Sequence, residues 1–411
     1  MRPTDLRGRA PIKLLRGGGR RVRLGQLAAL VAIAVLVVAC SRPVAPLPAA
    51  PVPSPTPAPP VSLPRDAAPH DALTEWWYYT GHLRSDVDGS VYGFEFTVFQ
   101  VVRQGAPTGY LAHFAVSDIG GQRFSHQART AQTDPAGGPP SPAAPLQPSG
   151  VPSPAASRAL SPAVSPGFPL DVGGWSFSSD GATDLLAAEM QAGPGAEPPF
   201  GIRLRLADEK PPALHNGGYI DYGVAGGSYY YSRTRLSVQG QLNHVGQTSQ
   251  PVTGEAWMDH QWGNFVVGAV GGWDWYSLQL DDRTELMLYV LRSPSGETTG
   301  VYGTQVLGDG TTRDLGAGSV LADPAGSWTS PHTGAVYPSG WLLTLPGGDR
   351  LQLRPQLVDQ ELFFPGVNGQ PPGLNDAASG ASVPAYWEGA VTVSGDRTGV
   401  GYVELTGYAA R

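Results

Sequence analysis

The 411-residue chain has a single cysteine, Cys40, so no disulfide can form within it in any compartment. Several catalytic signatures are missing as well. There is no Gly-x-Ser-x-Gly elbow, which argues against a serine hydrolase, and no second thiol to act as a nucleophile. The eight histidines form no His-Glu-x-x-His or similarly tight ligand spacing. A phosphate-cradling Gly-Lys-Ser/Thr loop and a dinucleotide fingerprint are both lacking, so no metal or nucleotide cofactor is expected. A basic excess is lacking too: the net charge is −7 and the pI about 5.6, which speaks against nucleic acid as a partner.

Turn formers and large aromatics are abundant. There are 55 Gly and 41 Pro, with 10 Trp, 16 Tyr and 11 Phe. Glycine and proline are costly inside helices, and aromatics suit a pleated, half-buried surface. At the amino terminus, Arg2, Arg7, Arg9, Lys13, Arg16, Arg20, Arg21 and Arg23 precede an apolar run, Leu27 to Ala39. That run is too short to span a bilayer but fits a signal-peptide core. It ends at Val37-Val38-Ala39-Cys40, which resembles a bacterial lipobox and implies lipid attachment at Cys40. The expected location is extracytoplasmic, anchored to the cell membrane. Residues 41–66 then form a proline-rich, semi-rigid spacer.

Beyond the spacer, short apolar runs bounded by turn residues predict an all-β fold. Val91 to Phe99 alternates, with Tyr92, Phe94, Phe96 and Val98 on one face and Gly93, Glu95 and Thr97 on the other. Asp180 to Met190 is the one segment that predicts a short helix. A proline-rich stretch, 134–169, reads as a disordered insertion. Trp76-Trp77-Tyr78-Tyr79-Thr80-Gly81-His82-Leu83 is echoed by Trp273-Asp274-Trp275-Tyr276-Ser277-Leu278-Gln279-Leu280, each followed by a turn and an apolar strand. The echo predicts a duplication, with one domain over 67–245 and a second over 250–411.

Further runs carry a family resemblance. They are Glu75-Trp76-Trp77-Tyr78, Tyr92-Gly93-Phe94-Glu95-Phe96, Gly254-Glu255-Ala256-Trp257-Met258-Asp259-His260-Gln261-Trp262-Gly263, Tyr386-Trp387-Glu388-Gly389 and Gly401-Tyr402-Val403-Glu404-Leu405. In this order they resemble the AttH-like proteins that include the carotenoid 1,2-hydratases. The resemblance implies two tandem lipocalin-like β-barrels and a hydrophobic small-molecule partner of isoprenoid, carotenoid or lipid type.

Hydrating an isolated double bond needs an acid able to protonate carbon, a pocket that tolerates a cation, and a placed water. The residues around Asp259 and His260 supply such groups. Asp259 or Asp274 is the expected proton donor, and His260 orients or deprotonates water. The family pattern of an aspartate with His, Trp and Tyr adds Tyr289 as the expected tyrosine, although no aspartate follows it closely. Trp257, Trp262 and Trp275 are expected to line the cation pocket, with Trp77, His82 and Glu95 as further substrate contacts. Glu388 and Glu404 read as structural. Two other readings stand beside the hydratase: a non-catalytic lipocalin-like carrier, and an assembly protein whose barrels are filled with side chains. A continuous apolar lumen reaching Asp259 and His260 would favour the enzyme, one lined only by aromatics the carrier, and no cavity the assembly protein.

Overall fold

The computed structural model describes residues 59–102, 107–132, 168–192, 199–222, 226–265, 271–364 and 385–409. The leader, Cys40, most of the spacer and nearly all of the 134–169 insertion lie outside them. Among the described residues there is no α-helix, only a 3₁₀ turn at Arg65–Ala67.

Eleven strands make the first sheet: β1 (Thr74–Ser85), β2 (Val91–Val101), β3 (Gly109–Asp118), β4 (Arg123–Gln132), β5 (Phe168–Val172), β6 (Trp175–Ser179), β7 (Thr183–Glu189), β8 (Phe200–Asp208), β9 (Ala213–Asp221), β10 (Gly226–His244) and β11 (Gln250–Phe265). Their order is β4-β3-β2-β1-β11-β10-β8-β7-β6-β5, with β9 beside β10. The second half contains β12 (Gly272–Leu280), β13 (Glu285–Arg292), β14 (Thr298–Val306), β15 (Thr312–Leu315), β16 (Leu321–Pro324), β17 (Ser327–Thr329), β18 (Val336–Pro338), β19 (Trp341–Thr344), β20 (Arg350–Pro355), β21 (Glu361–Leu362), β22 (Tyr386–Gly395) and β23 (Gly399–Leu405). The order here is β15-β14-β13-β12-β23-β22-β20-β19-β16, with β21 beside β22 and β17–β18 as a separate ribbon. In each sheet the opening strand pairs with the second strand and with the last, and each sheet curls into a barrel-like body.

Two expectations change. β11 is hydrogen-bonded to both β1 and β10, so it closes the first sheet. The change of sheet therefore falls between Phe265 and Gly272, not near 245–250. The Asp180–Met190 segment is strand β7, between β6 and β8. Its Leu-Leu-Ala-Ala-Glu composition suits a helix, but sheet pairing overrides that weak preference. Burial alternates along it: Leu185 is 53% exposed and Leu186 only 2%.

Alternation also fills both barrels. Trp77, Tyr79, Phe94, Phe96, Phe114 and Trp175 pack inside the first; Tyr276, Leu278, Trp341, Leu351, Trp387 and Val403 pack inside the second. Among the described residues, a small hollow inside the first lies beside Trp77, Tyr79 and Tyr231. It holds one water at most. The expected oily lumen is thus overturned: large inward-facing aromatics occupy the space.

Candidate functional site

The outward faces of the two sheets meet, and the chemistry is concentrated between them. On β1 the odd-numbered residues point into the first barrel, while Tyr78 on the other face reaches across to Glu388 of β22, its Oη donating to Oε1 at 2.5 Å. His82, on the same face as Tyr78, bonds the Gly401 carbonyl of β23 at 3.1 Å. The aromatic body of this layer is Tyr78, Tyr230, Trp257, Trp275, Met287, Tyr289, Ala390 and Tyr402. Gly93 permits the close approach: a Cβ there would collide with the Tyr402 hydroxyl.

Strand register arranges the polar groups in two rungs. Across the first sheet, His113, Thr97, Tyr78, Asp259 and Ser232 are successive cross-strand partners on β3, β2, β1, β11 and β10. Across the second, Tyr302, Tyr289, Trp275, Glu404 and Glu388 occupy the matching places on β14, β13, β12, β23 and β22. The matching strand order of the two sheets sets Tyr78 against Trp275 and Asp259 against Glu404 as equivalents. Their side chains interlock: Trp275 Nε1 donates to Tyr230 Oη at 3.0 Å, and the Tyr78 and Trp275 rings meet edge to face at 5.0 Å.

Four carboxyls without a recorded cation partner lie in this layer; a fifth, Glu285, is held by Lys210 and Arg235. Glu388 and Glu404 are directly opposite one another on β22 and β23, a placement that is unfavourable if both are charged. Burial, then the neighbouring Glu404 and Glu95, push Glu388 well above the usual carboxylate range. Burial lifts Glu95 to about 8 and Glu404 to about 7. Asp259 is lifted by burial to about 6, against hydrogen bonds from Ser232, Tyr230 (2.5 Å) and Trp257 (2.6 Å) that favour its anion. Trp273 Nε1 donates to Glu404 at 2.8 Å, and Thr97 donates to Glu95. One oxygen each of Glu95 and Glu388 is buried with no partner, as is Nε2 of His113, whose Nδ1 meets Tyr386 Oη at 2.6 Å. Burial lowers His113 to about 3 and His82 to about 4, so both rings are neutral. The arrangement offers protonated carboxylic acids, neutral imidazoles and aromatic rings away from bulk water.

Of the residues singled out by sequence, Asp259, Trp257, Trp275, Tyr289, His82 and Glu95 belong to the interface layer. His260, Trp262 and Trp77 do not: they face the first barrel's interior, where His260 meets Glu75 at 2.8 Å and stacks on Trp77 at 4.8 Å. Asp259 and His260 are consecutive on a strand, so they point to opposite faces and cannot share one site. Asp274 faces the second barrel's interior and pairs with Arg292 and Tyr408, a placement that suits an ion pair and not a proton donor. Glu388 and Glu404, read as structural, are central. Their signal was the alternation Tyr386-x-Glu388 and Tyr402-x-Glu404, which puts each acid on the face of a tyrosine.

A sequence profile described as AttH-like matches residues 54–408. Among solved structures, an AttH-type protein from Nitrosomonas europaea is similar at 29% identity and a TM-score of 0.67, covering 86% of this chain and 99% of that one. Kievitone hydratase from Nectria haematococca is similar at 15% identity and a TM-score of 0.59, covering 84% and 93%. At that identity the likeness concerns the fold alone. No curated protein matches the chain.

Proposed function

Since this chain belongs to the AttH-like family, we propose that it is an acid catalyst that adds water to a double bond of an apolar small molecule, with the chemistry in the layer between its two sheets. The carrying observation is the opposed pair Glu388 and Glu404, buried among tyrosines and tryptophans with no arginine or lysine recorded on either. An acid so placed keeps its proton near neutral pH. Glu388 is the proposed donor. Its Oε2 has no partner, and Tyr78 on Oε1 would stabilise the carboxylate left behind.

In the proposed step the Glu388 proton passes to one alkene carbon, and the other becomes a tertiary cation. Faces of Trp257, Trp275 and Tyr402 would stabilise it, by ~2 kcal/mol or more when dry. Water, held by neutral His113 through Nε2, supplies oxygen to the cation, and its proton restores Glu388. Isoprenoid or carotenoid alkenes are the proposed substrates, which partition into lipid. The basic leader and the apolar run ending at Cys40 support export and membrane attachment, where such substrates reside.

The carrier reading loses support because both barrel interiors are filled. Filled barrels suit an assembly protein; buried acids with unpartnered oxygens favour chemistry. The interface crevice beside Thr80, His82, Trp257 and Tyr402 is too shallow to hold a water, so in this proposal the sheets part to admit a substrate. The test incubates detergent-purified full chain with acyclic carotenoids and smaller terpenoid alkenes in ¹⁸O-labelled water. A labelled hydrated product is expected, reduced ~10²–10⁴-fold in Glu388→Gln. Wild-type turnover in that variant, or no product from any alkene, would overturn the reading.

A further inference from the structure

A second cluster lies at one end of the first barrel, on the far face of the same strands. His70 precedes β1, Glu75 opens it, and His260 comes from β11. His70 Nδ1 and His260 Nε2 both meet Glu75 Oε1, at 2.7 and 2.8 Å. The three donor atoms lie within 4.8 Å of one another. We propose that His70, Glu75 and His260 form a binding site for one divalent cation of zinc-like preference.

Geometry and chemistry agree. Two imidazoles and a carboxylate are a common zinc donor set, with bonds of about 2.0–2.2 Å, which puts tetrahedral donors roughly 3.3 Å apart. The two short separations need to widen by ~0.5 Å, and the imidazole nitrogens, within 4.8 Å of one another, need to close by up to ~1.5 Å. The rings are already oriented: His70 stacks flat on Trp262 at 4.1 Å, and His260 is held by Trp77 at 4.8 Å. An outer partner stands behind His260, with Tyr231 Oη 3.2 Å from its Nδ1. Such partners fix tautomers in metal sites. Gln100 and the His70 N–H hold the other Glu75 oxygen, turning Oε1 toward the imidazoles.

Charge supplies an independent argument. Asp184, buried inside the same barrel, is held by Arg233. Glu75 is fully buried, and its recorded partners are two imidazoles, an amide and a backbone N–H. A buried carboxylate that faces two imidazoles and has no arginine or lysine recorded on it suits a divalent counterion, and His70, 22% exposed, gives a path from solvent.

Full chain, stripped with chelator, would be titrated with Zn²⁺ by calorimetry and with Co²⁺ by visible absorption. One equivalent of Zn²⁺ at micromolar affinity or tighter, and ligand-field bands from Co²⁺, are expected. His70→Ala should weaken binding at least ~100-fold and abolish the Zn²⁺-dependent rise in melting temperature, whereas His332→Ala should do neither. A readout without variants is diethyl pyrocarbonate labelling, in which Zn²⁺ should protect His70 and leave His332 reactive. No saturable binding by wild type, unchanged affinity in His70→Ala, or equal labelling with and without Zn²⁺ would each overturn the site.

Discussion

Asp184 and Asp274 inside the barrels and four acids in the layer between them are all buried, but the two sets are held in opposite ways. Inside the first barrel Asp184 is held by Arg233 and Tyr79; inside the second, Asp274 is held by Arg292 and Tyr408. Between the barrels, Glu95, Glu388, Glu404 and Asp259 meet hydroxyls, indoles and one another. A cation partner fixes a charge and makes the acid part of the framework. Its replacement by phenols and burial leaves a proton in place, which is the condition for acid chemistry.

The largest effect should come from breaking an interior pair. Arg233→Met strands Asp184, which is 0% exposed, and should cost about 3–5 kcal/mol in urea unfolding. A loss below ~1 kcal/mol would erase the distinction. Next, Glu388→Gln swaps a neutral acid for a neutral amide, so unfolding should shift by less than ~1.5 kcal/mol while any turnover disappears. Asp274→Asn should show the reverse pattern.

The pH dependence sharpens the same contrast. Glu95 and Glu404 are raised from 4.5 to about 8 and about 7 by burial. Their contribution is fully present below about pH 4.5 and is lost as pH rises through those folded values. His82 and His113, lowered to about 4 and about 3, act oppositely and cost stability only as pH falls below 6.5. Stability should therefore decline between pH 6.5 and 8.5, and the double change Glu95→Gln, Glu404→Gln should flatten that decline. An unchanged slope would place both acids in contact with water. The smallest effect is expected at Leu185→Lys on β7, within about 0.5 kcal/mol, beside a large loss for Leu186→Lys. Equal effects would contradict the strand.

Much of the fold was legible because alternation and turn residues report a strand locally. The echo of Trp76–Leu83 in Trp273–Leu280 likewise pointed to β1 and β12, which hold equivalent places in the two sheets. The Asp180–Met190 error came from composition overruled by neighbouring strands. The site was harder to read. Asp259 and His260 were taken together because they are adjacent, although a period of two separates them. Glu388 and Glu404 gain their character only from the pairing of β22 with β23 and from Tyr78, 310 positions away in sequence. His70, Glu75 and His260 meet across 185 residues, so no local ligand spacing could announce them.

The pairing of each opening strand with the last strand of its sheet has a kinetic consequence. β1 must wait for β11, and β12 for β23, before either circuit is complete. Contacts between such distant segments carry a loop-closure penalty and slow the search. Glu404 rides on one of these late-arriving strands and Asp259 on the other. A nascent chain therefore remains without its dry acidic seam until β23 has been made.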